Sequence, residues 1–421
     1  MNEASLLIST TRTFLFLQGV ASPFFARLAA ALEASGHGVV RVNFNAGDAV
    51  YWLGRKSSNY RGSLASLAEY LEDLYVEHGV TDQVLFGDRR PVHRPAVERA
   101  ERFGIRTHVF EEGYFRPFWV TLERDGVNGH SLLPRDPDWF RRAAEHLPEP
   151  SAPERFRTAF RKRAFYDVMY HLPGLLNSIL YPYYRTHAPI SAPLEYAGYV
   201  GRWARLPFWR NRDAALVERL CGEAAPLYIL PLQLNTDAQI RDHSRFQNML
   251  EVLEYVLSSF SQCASADARL LIKNHPLDMG LVNYPKHLRL LAQRYQLQGR
   301  VWFVETGNLD QILDQAAGVV TVNSTVGMLA LDRSCPTLCL SDPVYNLPGL
   351  TAQCGLDEFW EKKTAPDPVL HNAFKQVVTF ATQVNGGFYC ADGMALAVRN
   401  SAEILVAHES PLEWLLRVCP P

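Results

Sequence analysis

Leu270-Leu271-Ile272-Lys273-Asn274-His275-Pro276 is the stretch on which the reading of this 421-residue chain turns. An apolar run enters a polar corner, and the proline cannot extend a ladder, so a strand buried on both faces stops at His275. Such strands belong to parallel sheets covered by helices, where ligands bind beyond the carboxyl ends of the strands. Taken alone, His-Pro is weak evidence, because a capping or buried histidine is the commoner case. Three other stretches follow apolar runs of strand length: Phe110-Glu111-Glu112-Gly113, Gln233-Leu234-Asn235-Thr236-Asp237 and Asn323-Ser324-Thr325. Their shared placement points to one site.

Working outward, residues 13–17 read as a buried strand and Gln18 to Pro23 as a turn. A helix follows from Phe24, with Ser22 as N-cap and Pro23 at its first position. Residues 39–44 form the next strand, so the chain opens with a β-α-β unit. Gly19 lets the backbone approach a ligand or lets helix and strand pack closely. The full dinucleotide fingerprint is missing, which argues against NAD or FAD. Residues 45–62 read as a loop, 64–75 as an amphipathic helix, 84–86 as a strand ending at Gly87-Asp88-Arg89-Arg90, and 95–103 as a helix. Residues 107–110 form a strand that ends at the glutamate pair.

The second half restarts this rhythm, with strands at 227–230, 269–272, 301–304, 318–322 and 336–340 and helices between them. The fold class expected is α/β, with two Rossmann-like domains facing a cleft, the GT-B architecture of many glycosyltransferases. Boundaries are placed at 1–213 for the first domain, 214–390 for the second, and 391–421 for a helical tail crossing back to the first.

Composition narrows the function. The net charge is −2, which does not mark a nucleic-acid protein by bulk charge. Seven cysteines without tight metal spacing read as reduced thiols of a cytosolic chain. The N-terminal apolar runs are too short for a signal peptide or a span, so a cytoplasmic protein is expected, with room for a peripheral place on a membrane. Residues 151–213 differ from the rest: ten Lys and Arg stand against four Asp and Glu, interleaved with aromatics. The segment reads either as a helical insertion with solvated arginines or as a surface for an anionic lipid head group. Single-stranded nucleic acid would use the same residue types, but no RNA-binding motif accompanies them.

Asn323, Ser324 and Thr325 precede a helix whose free N–H groups suit a phosphate, although Ser324 or Thr325 also serves as a plain N-cap. His275 and Lys273 stand at the neighbouring corner, where a histidine can stabilise charge on a leaving phosphate. Glu305 ends the next strand and could accept from a ribose diol. Glu111 and Glu112 are adjacent carboxylates suited to acid/base work, and only one of the two can face the site, because strand neighbours alternate. Asp237 supplies the further carboxylate that a retaining double displacement needs, with Asp242 and His243 as competitors.

Glu111-Glu112-Gly113, His275-Pro276 and Ser324-Thr325, in that order, resemble the signature set of sialyltransferase-like GT-B enzymes. Phe16-Leu-Gln-Gly19, Gly87-Asp-Arg-Arg-Pro91, Glu111-Glu-Gly-Tyr-Phe-Arg-Pro117, Leu232-Gln-Leu-Asn-Thr-Asp237 and Lys273-Asn-His-Pro276 look like the KpsS/LipB family of capsule polysaccharide β-Kdo transferases. That resemblance implies CMP-β-Kdo as donor substrate, retention of configuration and a covalent Kdo adduct on Asp237. Glu111, with Glu112 as runner-up, would activate the acceptor. His275, Ser324 and Thr325 would hold the phosphate, with Gln233, Lys273, Asn274, Pro276, Glu305 and Asn323 completing the CMP-Kdo site. Gln18, Gly19, Arg89 and Arg116 are placed near the Kdo carboxylate or acceptor. No metal and no other cofactor is expected. The implied partners are a lyso-phosphatidylglycerol acceptor, the inner face of the bacterial inner membrane and other capsule proteins, with no nucleic acid. Competing expectations are a GT-B enzyme using another nucleotide sugar, including an epimerase, and a non-catalytic capsule export or assembly subunit.

Overall fold

The computed structural model describes residues 11–185, 192–234, 240 and 244–421. They fall into two compact units. One holds the described residues 11–132, 149–185 and 378–420; the other holds 133–148, 192–234, 240 and 244–377.

The strands of the first unit are β1 (Thr13–Phe16), β2 (Gly38–Asn43), β3 (Ser58–Asn59), β4 (Asp82–Phe86), β5 (Arg106–Glu112), β6 (Trp119–Arg124) and, late in the chain, β12 (Gln383–Asn385). They lie in the order β12-β6-β5-β4-β1-β2-β3. From β3 to β5 all neighbours are parallel, whereas β6 runs antiparallel to β5 and β12 antiparallel to β6. Successive residues point to opposite faces. Phe14, Phe16, Val84, Phe86 and Phe110 therefore pack beneath helices α1 (Phe24–Ala34) and α15 (Ala391–Val406). Leu15, Leu17, Leu85 and Val109 face the opposite way, toward α3 (Leu67–His78) and α4 (Arg94–Ala100). Burial of each such side chain contributes about 1.5–3 kcal/mol.

The second unit has a fully parallel sheet of β7 (Leu227–Pro231), β8 (Arg269–Lys273), β9 (Val301–Val304), β10 (Ala316–Thr321) and β11 (Thr337–Cys339), in the order β11-β10-β7-β8-β9. Helix α9 (Met249–Cys263) covers one face through Val252, Val256 and Phe260. Val217 and Leu220 of α8 (Ala192–Cys221), with Ile312 of α11 (Leu309–Asp314), cover the other. Two Rossmann-like α/β units in one chain are the composition of a GT-B fold.

Several expectations need correction. The stretch read as a loop from 45 to 62 contains α2 (Ala46–Tyr51), N-capped by the Asn45 side chain, and the edge strand β3. Helix α1 starts one residue later than its cap pattern suggests: Pro23 is the N-cap residue, and Ser22 Oγ accepts from Phe24 N at 3.4 Å. Residues 192–213 lie in the second unit, not the first, as do 133–148. The basic, aromatic segment is thereby divided between α6 (Phe160–His171) and α7 (Asn177–Leu180) on one side and α8 on the other. Residues 378–390 belong to the first unit, where α15 and α16 (Pro411–Val418) complete the chain.

Candidate functional site

In the second unit, sheet order sets the motifs side by side along one carboxyl edge. Asn323 follows β10, Gln233 follows β7, the Lys273–Pro276 corner follows β8, and Glu305 follows β9. The strand order reverses between β7 and β10, the place where open α/β sheets bind ligands. Two hydrogen bonds cross that point. Gln233 Nε2 donates to Asn323 Oδ1 at 2.8 Å, and Asn323 N donates to Gln233 Oε1 at 3.3 Å. Ser324 caps α12 (Thr325–Leu331) by accepting from Val326 N at 3.2 Å. Gly327 does not open the backbone to a ligand: an added Cβ would sit 2.3 Å from Tyr345 Oη, and that hydroxyl donates to Ser324 O at 2.6 Å. The tyrosine ring fills the space.

His275 is half-buried, and its Nδ1 accepts from Leu277 N at 3.1 Å, which places the neutral ring's proton on Nε2. Burial lowers the Lys273 pKa, the positive charge of Arg202 adds to the effect, and Asp213 opposes it. Asn274 is buried and spends its side chain on the loop itself. Its Oδ1 accepts from His275 N at 2.8 Å, and its Nδ2 donates to Glu305 Oε2 at 2.8 Å. That same Glu305 oxygen pairs with Arg202 at 3.2 Å, so Glu305 is tied into the fold rather than standing as a bare ribose acceptor. Pro276 offers its carbonyl to Arg202 Nη1 at 2.7 Å.

The first unit repeats the plan. Its strand order reverses between β1 and β4. Arg90 Nη1 spans the gap, donating to Gln18 Oε1 at 3.1 Å and to Gly19 O at 3.0 Å. Gln18 in turn donates to Asp48 Oδ2 and to the Tyr184 hydroxyl, each at 3.3 Å. Of the two readings of Gly19, packing is the one the geometry shows, since an added Cβ would lie 2.8 Å from the Phe25 ring.

The glutamate pair divides as strand alternation requires. A Cβ built on Gly87 would meet Glu111 Oε2 at 3.3 Å and Arg90 Nε at 3.9 Å, so these side chains flank one spot at the switch point. Glu112 turns the other way, accepting from Tyr389 Oη at 3.2 Å and pairing with Arg163 at 3.4 Å. The Tyr389 hydroxyl is held protonated by burial and by the negative charge of Glu112. Gly113 is required by the turn into β6, because a Cβ there would strike Trp119 O. Arg89 is directed at His130 and Asp88, at 3.3 and 3.5 Å. Arg116 is exposed and donates to Gly113 O at 3.3 Å. Asp237, Asp242 and His243 lie outside the described residues.

With this geometry in hand, the chain can be set beside known proteins. It matches the family described as capsule polysaccharide biosynthesis protein over residues 81–389. The chain belongs to the capsule polysaccharide biosynthesis family. Among its relatives is the Escherichia coli capsule polysaccharide export protein KpsS, 34% identical over 389 residues, covering 92% of this chain and 99% of that one. The capsule polysaccharide modification protein LipB of Neisseria meningitidis serogroup B is also 34% identical, over 399 residues, covering 92% and 94%. Among solved structures, the β-Kdo 2,7 transferase of Thermosulfurimonas dismutans KpsC is similar with a TM-score of 0.43 at 14% identity, covering 94% of this chain and 99% of that one.

In this capsule biosynthesis protein, three contributors to the site were not singled out from sequence. Arg202, buried on α8, donates to Glu305 and to the carbonyls of Pro276 and Asp278, clamping the loop that carries His275. Asp213, fully buried one helical stretch later, accepts from the backbone N–H groups of Glu305 and Thr306 at 2.8 and 2.9 Å. Arg90 is the third. The signal for the first two was present: Arg202, Leu206, Trp209, Asp213, Val217 and Leu220 recur at helical spacing, which puts two charged residues on the inward stripe.

Proposed function

We propose that this capsule biosynthesis protein is a retaining β-Kdo glycosyltransferase that moves Kdo from CMP-β-Kdo to an anionic lysophospholipid of the lyso-phosphatidylglycerol type. The observation that carries the transferase reading is the second unit's carboxyl edge. There, Gln233, Asn323, Lys273 and a histidine with its proton on Nε2 stand in adjacent positions at and beside a switch point. Cationic and amide donors in this setting suit a nucleotide phosphate. The choice of Kdo rests on the KpsS/LipB resemblance of the motifs.

In the proposed reaction a carboxylate oxygen of Asp237 attacks the anomeric carbon of Kdo. The bond to the CMP phosphate breaks and CMP leaves with the electron pair, His275 donating to the phosphate. Glu111 then takes the proton of the acceptor hydroxyl, the hydroxyl oxygen attacks the same carbon, and the Asp237 carboxylate departs. Two inversions give net retention. Glu111 is preferred to Glu112 as the base because its carboxylate lies beside Gly87 and Arg90 at the switch point, whereas Glu112 turns toward Arg163 and Tyr389. Neither step calls on a metal.

The E. coli relative is known as a capsule polysaccharide export protein, which supports a second reading, a non-catalytic export subunit. Intact-protein mass spectrometry separates the two. The Glu111→Gln variant, incubated with CMP-Kdo generated in situ and no acceptor, should gain one Kdo mass that maps to Asp237, and Asp237→Ala should gain none. Absence of both adduct and CMP release in the unaltered protein, with and without the lipid, would leave the export reading standing.

A further inference from the structure

Helix α6, the short turn at Pro173–Leu176 and α7 are mounted inside out. Their polar face is turned inward. Tyr170 Oη donates to the buried carboxylate of Asp48 at 3.0 Å and accepts from Asn45 Nδ2 at 2.9 Å. Asn177 Oδ1 accepts from Ala46 N at 2.9 Å. A Cβ at Gly47 would strike Tyr170, so the two segments are in close contact. The apolar residues point outward. Phe165, Val168 and Leu172 follow each other at steps of three and four along α6 and its C-cap, and Leu175, Leu176 and Ile179 continue the exposed apolar run through the turn and α7. Phe165 is 61% exposed, Leu175 62% and Ile179 77%. Ordinary amphipathic helices of a folded unit show the reverse, and contiguous exposed apolar surface of this kind marks an interaction site.

The charge around the stripe has one sign. Residues 155–185 hold six Lys and Arg against one acidic residue, Asp167. Asp167 is half-buried and sits 3.7 Å from His171. Arg161 and Lys162 are exposed one turn before Phe165 on the same face, and Arg155 and Arg157 are exposed just ahead of them. Long basic side chains at the end of an apolar stripe can reach phosphates while the stripe enters the acyl boundary. A second copy of the chain would bring like charges together, which argues against a symmetric pairing through this face. Among the described residues no helix is long and apolar enough to cross a membrane, so the stripe would lie along a surface.

We propose that the outward face of α6 and α7 is a membrane-docking surface whose occupant is an anionic phospholipid bilayer. The proposal deepens the reading of a lipid acceptor by saying how the protein reaches it. It rests on that reading only for its biological purpose.

Flotation with vesicles tests it. Full-length protein should float with phosphatidylglycerol-containing vesicles and stay behind with pure phosphatidylcholine. The pair Leu175→Glu with Ile179→Glu should lower partitioning roughly a hundredfold. The pair Arg161→Glu with Lys162→Glu should lower it roughly tenfold or more, and added salt should weaken the unaltered protein. All four positions are exposed, so melting temperatures should hold, and the charge pair serves as a second probe if the first pair misfolds. Failure of the unaltered protein to float on anionic vesicles, or flotation of both pairs like the unaltered protein, would overturn the proposal. So would light scattering that shows a dimer made monomeric by Leu175→Glu with Ile179→Glu, with vesicle binding unchanged.

Transfer to a short-chain, water-soluble lysophospholipid keeps the two readings apart. Equal CMP release by the unaltered protein and the flotation-deficient pair supports both. Anionic flotation without any CMP release sinks the transferase reading and leaves the surface intact.

Discussion

The two units solve one problem with different chemistry. Each has a sheet with parallel central strands whose order reverses beside its first strand, and each spans the reversal with a side-chain bridge. In the second unit the bridge is neutral, amide to amide, Gln233 to Asn323. In the first it is a cation, Arg90, on Gln18 and the Gly19 carbonyl, with the Glu111 carboxylate beside it. A neutral bridge leaves the positive charge of that edge to Lys273, with the His275 ring beside it as a hydrogen-bond donor, as the proposed phosphate leaving group requires. In the first unit a cation and a carboxylate flank the same spot beside Gly87, which suits the acceptor-activating role proposed for Glu111. The difference teaches that one shared topology presents two edges of different chemistry, and that the bridge residues make the difference.

The sharpest way to break this comparison is at the carboxylates. Glu111→Gln should lower kcat about 10²–10⁴-fold, the usual worth of a positioned base. Glu112→Gln should change kcat less than about tenfold while lowering stability by about 1–3 kcal/mol through the lost hydrogen bonds to Arg163 and Tyr389. Steady-state kinetics and thermal melts on both variants decide. The reverse ranking would move the base to Glu112 and end the argument from strand alternation.

Next in size is the clamp. Arg202→Met leaves Glu305 without its buried counter-ion and frees the His275 loop, and should cost on the order of 3–5 kcal/mol. Pairing it with Glu305→Gln should recover part of that, because no uncompensated carboxylate remains. Chemical denaturation of the two variants checks the order. Equal stability for both would mean that Arg202 acts by packing rather than by charge.

Most of the strand layout was legible because continuous apolar runs bounded by polar corners have few other readings. The site motifs were legible as strand ends for the same reason. What escaped was non-local. Helix α2 has a weak local signal, Ala-Gly-Asp-Ala, and its Gly47 answers to Tyr170, far along the chain. Strand β12 is three residues long, and its pairing with β6 joins Gln383 to Thr121. Arg202 was legible in principle, but charge counting over residues 151–213 averaged it with solvated arginines. That averaging also hid the division of the segment between two units.

Stability against acid should separate the units too. In the first, His108 Nε2 donates to Asp82 Oδ1 at 2.7 Å, with Arg12 on the same carboxylate. Burial pushes the His108 pKa down to about 4 from an ordinary 6.5, with Asp82 opposing. Burial raises the Asp82 pKa, but hydrogen bonds from His108 and Arg12 outweigh it and hold the carboxyl at about 2. For His108 the folded value is the lower one. Its contribution is therefore complete above pH 6.5 and is lost as pH falls toward 4, since the unfolded chain takes up the proton first. Asp82 acts in the same direction between its ordinary 3.8 and about 2. The unfolding free energy from denaturant titrations should fall by about 3 kcal/mol over the histidine window. In His108→Gln that window should flatten.

The smallest effects test the bridges themselves. Gln233→Ala removes two neutral hydrogen bonds, about 1 kcal/mol each in net terms, and should raise the KM for the nucleotide sugar a fewfold with the acceptor KM unmoved. Arg90→Ala removes a charged donor that also lies over the Phe86 ring at 5.0 Å. It should raise the acceptor KM, because the first unit loses the bridge to Gln18 and the Gly19 carbonyl. High salt should narrow the gap between Arg90→Ala and the unaltered protein and leave Gln233→Ala where it was, since screening acts on charge and not on an amide pair. Should both variants move the same Michaelis constant with the same salt dependence, the two switch points would not differ in role, and the contrast between a neutral bridge and a charged one would carry no functional meaning.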